Sequence, residues 1–308
     1  MIDITHKSNT LRIATAQAIV KVSKQETIDA VINKEVPKGD VLEMAKTAGL
    51  FGVKKTAELI PDCHPLPIES TKVDYKIEGL EIIINIEVKT VYKTGVEVEA
   101  MHGASIVALT VYDMLKPIDK GIEISTIKLL DKKGGKSHFK NEFDYIIKAA
   151  VIVSSDSVAA GDKEDKAGKA IVNKLEDLKI EILENCVLPD EPEQLKSKVE
   201  ELCLKDINLV IITGGTGLSS RDKTPEAIKP LIDREIPGVM EAARSYGQQR
   251  TPYAMLSRSF AGMKGNTLIL GVPGSTKGAI ETIDALFPHI MHIFKVQEHD
   301  YMHQTVNS

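Results

Sequence analysis

Val210-Ile-Ile-Thr-Gly-Gly-Thr-Gly-Leu-Ser-Ser-Arg-Asp-Lys-Thr-Pro-Glu-Ala-Ile228 is the stretch whose reading decides the fold of the second half of this chain. Its apolar start, Val210 to Ile212, reads as a strand buried on both faces, as in a parallel sheet. Gly214, Gly215 and Gly217 follow, and residues without side chains let backbone N–H groups turn inward around an anion. Thr216, Ser219 and Ser220 add hydroxyls, Arg221 adds a fork of N–H donors, and Asp222 adds a carboxylate able to hold a divalent cation against phosphate oxygens. Thr224-Pro225-Glu226 has the order of an N-cap, a first-turn proline and an acidic first turn. The loop is thereby placed between a strand's carboxyl end and a helix's amino end, where open α/β sheets bind ligands. Neither the Walker spacing nor Gly-x-Gly-x-x-Gly is present, so a plain glycine turn stays open beside the phosphate-site reading.

The residues around this loop alternate between strand and helix. Ala149–Ser154 reads as a buried strand, Ala167–Leu178 as a helix, Ile180–Leu188 as a strand, Glu193–Lys205 as a helix, and Asn208–Thr213 as the strand that feeds the loop. Such a rhythm predicts an α/β domain with a mostly parallel sheet over residues 148–308. The first strand ends in Ser154-Ser-Asp-Ser157, which brings Asp156 to the same crevice. Pro237–Gln249 then reads as a helix, and Met255–Gly262 and Thr267–Val272 as strands. Pro273, Gly274 and Ser275 open the last helix as a second anion turn. His299 and His303 are four apart, but no acidic partner accompanies them, and a solvated tail is the plainer reading.

Residues 1–140 mix strands and helices without that rhythm. Ser23-Lys-Gln-Glu26 has the form of a capping box before a short helix, and Asp40 that of the N-cap of a longer helix, Val41–Ile60. Ala45, Ala48, Gly49, Gly52 and Thr56 give that helix a small-residue face suited to close packing. In the stiff loop Pro61–Pro67, adjacent Cys63 and His64 make a poor metal pair, and His64 reads either as a ligand-bonding side chain or as a satisfied structural one. Lys72–Glu78 and Glu81–Thr90 form a hairpin pattern, and Glu97 and Glu99 at period two share one side of a short strand. A buried helix runs from about Glu99 to Lys116, with Asp113 and Lys116 on one face. If it is continuous, Glu99 and Asp113 stand about 21 Å apart, too far for one compact substrate within a single subunit, so either the substrate is elongated or the site lies between subunits, and Asp113 with Lys116 reads equally as an ordinary helix-surface pair. Ile122–Leu130 is a further strand before the lysine-rich glycine turn 131–137, and residues 141–147 read as a linker.

At 308 residues the chain is expected to hold two domains. A net charge of −5 provides no field for nucleic acid, and no apolar run of the length of a membrane span occurs. Charges in the first residues interrupt any signal-peptide core, and three scattered cysteines suit a reduced, cytoplasmic setting.

Five ordered motifs of the first half are Lys38-Gly-Asp-Val, Pro61-Asp-Cys-His-Pro, Thr94-Gly-Val-Glu-Val-Glu-Ala, Leu109-Thr-Val-Tyr-Asp-Met and Leu129-Leu-Asp-Lys-Lys-Gly-Gly-Lys-Ser. Together they resemble the cyclic pyranopterin monophosphate synthases, the MoaC family, across nearly all of residues 1–140. The resemblance implies a ferredoxin-like α+β domain, a hexamer with its site between subunits, and no cofactor. The substrate it implies is 3′,8-cyclo-7,8-dihydroguanosine 5′-triphosphate, converted to the cyclic pterin phosphate with loss of pyrophosphate. By position, Asp113 and Lys116 become the catalytic pair, and Lys38, Cys63, His64, Glu97, Val98, Glu99, Lys132 and Lys136 contact substrate.

Residues 148–295 resemble the molybdopterin adenylyltransferase superfamily, the MoaB/Mog family. The resemblance rests on Ser155-Asp-Ser, Thr213-Gly-Gly-Thr-Gly, Arg221-Asp-Lys-Thr-Pro-Glu and Val272-Pro-Gly-Ser-Thr-Lys. It implies a trimer that binds molybdopterin and uses ATP and magnesium. Asp156, Asp190, Gly214, Gly215, Thr216, Gly217, Ser219, Asp222, Pro273, Gly274 and Ser275 would contact the ligands, with Asp222 at the metal. A bifunctional enzyme is the leading expectation. A non-catalytic pterin-binding or oligomerising second half, or a scaffold, are the alternatives.

Overall fold

The computed structural model describes residues 1–135 and 143–297. Packing divides the chain into two compact units, Met1–Phe139 and Lys140–Ser308, and each builds its own core.

The first unit is α+β. Its elements are β1 (Thr10–Lys21), α1 (Gln25–Ile32), α2 (Val41–Lys54), α3 (Thr56–Leu59), β2 (Ser70–Glu78), β3 (Glu81–Tyr92), α4 (Glu97–Leu115) and β4 (Glu123–Lys133). The sheet runs β2-β3-β1-β4 with every neighbour antiparallel. Period-two patterning sets the faces: Ala14, Ala16, Ala18 and Val20 of β1 and Ile82, Ile84, Ile86 and Val88 of β3 all turn into one core. Ala16 stands opposite Ile86 and Ala18 opposite Ile84, so small residues on the central strand leave room for α4 above them. The small face of α2 serves the next contact. A Cβ on Gly49 would lie 2.3 Å from Val107 Cγ2, and one on Gly52 would lie 2.8 Å from Ile106 Cγ1, so bulk there would drive α2 off α4.

Asp40 caps α2 as its sequence predicts, accepting from the Glu43 N–H at 3.2 Å. Three local expectations need correction. The helix predicted over 41–60 breaks at Lys55, whose backbone leaves the α region, and restarts as α3. Glu97 and Glu99 open α4 instead of sharing a strand, which turns them to opposite sides of the helix. Ser23 forms no capping box: its N–H and hydroxyl donate to Asp119 at 2.8 and 2.5 Å. Asp119 also accepts from Thr27 Oγ1 at 3.0 Å and Gly121 N–H at 2.9 Å. Burial alone would raise this carboxyl, but the four hydrogen bonds, led by the Ser23 hydroxyl, hold it at about 2. A charged acceptor with several donors wins over a helix cap.

The second unit has the elements β5 (Lys148–Ser154), α5 (Asp156–Ala159), α6 (Ala167–Asp177), β6 (Glu181–Leu188), α7 (Pro192–Cys203), β7 (Leu209–Thr213), α8 (Thr224–Ile228), β8 (Arg234–Glu235), α9 (Pro237–Gln248), β9 (Phe260–Lys264), β10 (Thr267–Val272) and α10 (Thr276–Leu286). The sheet is mixed, in the order β6-β5-β7-β10-β9-β8, parallel from β6 to β10 and antiparallel at β9 and β8. Its central strands are apolar throughout because both faces are covered. Ala149, Val151, Leu209 and Ile211 pack with α6, α9 and α10, whereas Ala150, Ile152, Val210 and Ile212 pack with α7 and α8. The strand predicted at 255–262 begins only at Phe260, since Pro252–Leu256 coil into a 3₁₀ turn capped by the Thr251 hydroxyl. No described helix is long and apolar enough to cross a membrane. Lys136, His299 and His303 lie outside the described residues.

Candidate functional site

In the first unit the candidates separate into two groups at the ends of α4. At its amino end, Cys63, His64, Glu97, Val98, Glu99 and Lys132 line one cleft of about 500 Å³ together with Thr94, Gly95 and Leu129. Lys132 Nζ donates to Glu97 Oε1 at 3.1 Å, and the Glu97 carboxyl lies over Gly95, where a Cβ would come within 1.9 Å of it. Glu99 is 2% exposed, and its Oε1 accepts the Cys63 S–H at 3.0 Å. Burial pushes this carboxyl above the usual carboxylate range. Burial first, then the hydrogen bond and charge of Glu99, push the Cys63 thiol up to about 12. His64 pairs through Nε2 with the Ile2 carbonyl oxygen at 2.8 Å, and the residue also lines the cleft.

Sequence reasoning missed Arg12. It occupies the same period-two face as Ala14, Ala16 and Ala18, and a charge in that register was the available signal. Its Nε and Nη2 donate to the Tyr92 and Lys93 carbonyl oxygens, both at 3.3 Å. Gly135, in the lysine-rich turn, sits so close that a Cβ would lie 2.1 Å from Arg12 Nη1.

At the carboxyl end of α4, Asp113 Oδ1 pairs with Lys116 Nζ at 2.7 Å, and Asp113 Oδ2 with Lys38 Nζ at 2.7 Å. Lys38 also donates to the Asp113 carbonyl oxygen at 2.8 Å. Hydrogen bonds from Lys116 and then Lys38 hold the Asp113 carboxyl at about 2, and Asp113 in turn raises Lys116. Asp113 therefore favours the charged form of Lys116. Fourteen residue steps of helix from Glu99 to Asp113 separate the two positions by about 21 Å along the axis.

In the second unit the candidates converge on the carboxyl ends of β5, β7 and β10. Gly214 has φ +110°, and a Cβ there would lie 2.1 Å from the Ser154 carbonyl oxygen. Gly215 has φ +61° and meets Thr224 Oγ1 in the same way at 2.1 Å. Gly274 approaches Gly214 backbone to backbone, with its Cβ position 3.0 Å from Gly214 Cα, and Thr213 Oγ1 donates to the Pro273 carbonyl oxygen at 2.8 Å. The two glycine turns are thus joined. Ser275 caps α10 by accepting from Gly278 N–H at 3.2 Å, and beside it Pro273, Ser275, Arg244, Tyr253 and Lys277 bound a cavity of about 300 Å³.

The acids form a network around this point. Asp190 accepts from Ser154 Oγ at 2.7 Å and from Asp156 N–H at 3.1 Å, and its own N–H donates to Asp156 Oδ1 at 2.9 Å. Arg221, expected to offer its fork to an anion, grips Asp156 Oδ2 at 2.8 Å and Glu191 Oε1 at 2.9 Å. Two nearby carboxylates occupy it before any ligand does. The Thr216 hydroxyl turns inward to the Val272 carbonyl oxygen at 3.4 Å and is 3% exposed. Thr224 is no N-cap: Lys223 holds that place, and Thr224 Oγ1 is buried without a hydrogen-bond partner among the described residues. Asp222 Oδ2 accepts from Ser219 N–H at 2.7 Å. Arg258, unremarked in the sequence, clamps the loop through Gly217 O at 2.7 Å, Asp222 O and Glu226, and its N–H donates to Thr216 O at 2.9 Å. Among the described residues, no group of three or more His, Cys, Asp or Glu side chains could hold a metal ion by itself.

Comparison with known proteins divides the chain in the same way. The MoaC family matches residues 1–135, and a probable molybdopterin binding domain matches residues 150–292. A molybdenum cofactor biosynthesis bifunctional protein of Chlorobaculum tepidum is 39% identical over 97% of this chain and 95% of its own. A cyclic pyranopterin monophosphate synthase of Syntrophomonas wolfei is 48% identical over 44% of this chain and 88% of its own. The solved structure of the molybdopterin biosynthesis enzyme MoaB from Thermus thermophilus is 39% identical, with a TM-score of 0.46 and coverage of 49% of this chain and 96% of that one. With one relative matched from end to end and each half matched by its own family, the chain belongs to the bifunctional molybdenum cofactor biosynthesis proteins, a MoaC domain joined to a MoaB/Mog-type domain.

Proposed function

We propose that the first unit converts 3′,8-cyclo-7,8-dihydroguanosine 5′-triphosphate to cyclic pyranopterin monophosphate and pyrophosphate. The observation that carries this reading is the pair of half-sites on α4: a lysine–aspartate cluster at one end and an acid-lined cleft at the other. Closing the cyclic phosphate requires a sugar oxygen to attack the α-phosphorus while the bond to the pyrophosphate leaving group breaks. Lys38, Lys116 and Lys132 are cations suited to the triphosphate and its developing charge. Lys116, kept charged by Asp113, is the proton donor during ring rearrangement, and Asp113 orients it. Because about 21 Å separates the half-sites, we place the working site between subunits of a homo-oligomer, a hexamer by family resemblance. The strand order and antiparallel pairing support a ferredoxin-like reading of this unit. A product assay on the whole protein with the cyclised guanosine triphosphate tests the function, and no pterin product would refute it.

The second unit, in the same proposal, binds molybdopterin and transfers AMP to it: a terminal phosphate oxygen of the pterin attacks the α-phosphorus of ATP, and pyrophosphate leaves. The joined glycine turns suit phosphate, and the adjoining cavity suits a heterocycle. Magnesium would be held on the protein side by Asp222, whose Oδ1 makes no hydrogen bond among the described residues, and would need the substrate to complete its site. When bound, it neutralises phosphate charge. A second reading, a pterin-binding module without turnover and trimeric by family resemblance, is favoured by the engagement of Arg221 with Asp156 and Glu191. Magnesium-dependent AMP transfer by the full chain, with ATP and molybdopterin supplied, separates the two. We take residues 141–147 as the linker and the cytoplasm as the setting, supported by three unpaired cysteines.

A further inference from the structure

Glu99 presents a feature that the reaction outlined above leaves unused. Its carboxyl is buried at the wall of the cleft, with Oε1 accepting the Cys63 S–H at 3.0 Å. The second oxygen, Oε2, is buried with no hydrogen-bond partner among the described residues. A buried carboxyl oxygen left without a partner costs free energy, and a ligand that supplies one recovers it. We propose that Cys63 is a positioning residue whose thiol fixes one oxygen of Glu99, so that the other serves as the hydrogen-bonding group for the substrate's nitrogen heterocycle. This rests on the reading of the first unit as the synthase and names the group in that site which recognises the ring.

The geometry is specific to this pair. The thiol reaches Glu99 from the loop after α3, whereas Glu99 stands in the first turn of α4, so the contact ties the loop to the helix at the cleft. Elsewhere around the cleft the charged and titratable groups have other partners: Glu97 holds Lys132, His64 bonds the Ile2 carbonyl oxygen, and Asp62 pairs with the amino terminus. His102, further along α4, lies against Thr56 Oγ1 at 3.1 Å. Burial raises the Glu99 carboxyl, and Glu97 adds to that rise, while the Cys63 hydrogen bond and His102 act against it. The thiol therefore tunes the protonation of the oxygen that meets the ring as well as its direction.

The test uses the full-length protein with Cys63→Ala, Cys63→Ser and Glu99→Gln variants. We expect Cys63→Ala to lower kcat/KM for the cyclised guanosine triphosphate by about tenfold or more, and Cys63→Ser, which keeps a donor, to recover most of that loss. Without the thiol the ionised form of Glu99 loses a donor, so the Glu99 midpoint moves to higher pH in Cys63→Ala and returns toward wild type in Cys63→Ser. Isotope-edited infrared titration of the carboxyl band, with Glu99→Gln as the spectral blank, reads that midpoint without substrate. Wild-type kcat/KM and midpoint in Cys63→Ala would overturn the proposal, as would a Cys63→Ser protein as impaired as Cys63→Ala. Absence of product from the wild type would instead bring down the synthase reading, and this assignment with it.

Discussion

The two units distribute similar chemistry in opposite ways. In the second, a mixed sheet gathers its candidates onto neighbouring strand ends, where Gly214, Gly274, Asp190 and Asp156 interlock within one chain. In the first, one helix holds the candidates at its two ends, with Asp113 bound to Lys38 and Lys116 at one and Glu99 bound to Cys63 at the other. Parallel strands bring loops together by topology, whereas a rigid helix keeps its ends apart by its rise per residue. In the proposed reading, a site assembled from such ends takes one end from each of two copies, whereas the strand-switch candidates already meet within one chain.

The hardest blow to this contrast is Lys116→Ala. We expect it to lower pterin formation by about 10³-fold, the share of a positioned proton donor, with an unchanged circular dichroism spectrum. Near-normal turnover would remove Lys116 from the chemistry. Mixing the inactive Lys116→Ala and Glu99→Ala proteins sharpens the point. If each site takes one end of α4 from each of two copies, subunit exchange restores about a quarter of wild-type activity, the statistical share of intact sites. No restoration after demonstrated exchange would confine the site to one chain.

In the second unit, Gly214→Ala combines a positive φ with a backbone clash and is expected to cost about 3 kcal/mol, read as a fall in denaturant midpoint. A smaller loss, about 2 kcal/mol, follows from Asp119→Asn in the first unit, where an amide replaces a carboxylate that accepts four hydrogen bonds. The folded Asp119 is depressed to about 2, so its stabilisation is fully present above the ordinary carboxylate range and fades as pH falls toward that value. Asp119→Asn should flatten that limb of the acid unfolding curve. Smallest is Arg258→Ala, about 1–2 kcal/mol, because the arginine is partly exposed. Its mark is faster amide exchange confined to residues 214–222, and uniform exchange would show that Arg258 does not hold the loop.

Much of this architecture could be read from residue order. The unbroken apolar runs at 149–153 and 209–212 announced strands covered on both faces, and the small face of α2 announced a close helix neighbour. Side-chain partners were less legible. Ser23 and Thr224 have the right types for caps, but a carboxylate 96 residues away claims Ser23, and Lys223 takes the cap position ahead of Thr224. Arg221 has the right type for phosphate, but Asp156 and Glu191 reach it first.

By itself, residue order determined the periodicities, the positions that only glycine can occupy, and the family motifs that point to two linked steps of one biosynthesis. The periodicities follow from patterning along the chain, the glycines were marked by residue type, and the motifs were read by resemblance. Tertiary structure alone decided that Cys63 meets Glu99, that Arg258 clamps the glycine loop, and that Arg12 lies under Gly135. Such contacts join residues tens of positions apart. Hydrogen bonding is selected by distance and direction in the folded chain, to which one-dimensional spacing is blind.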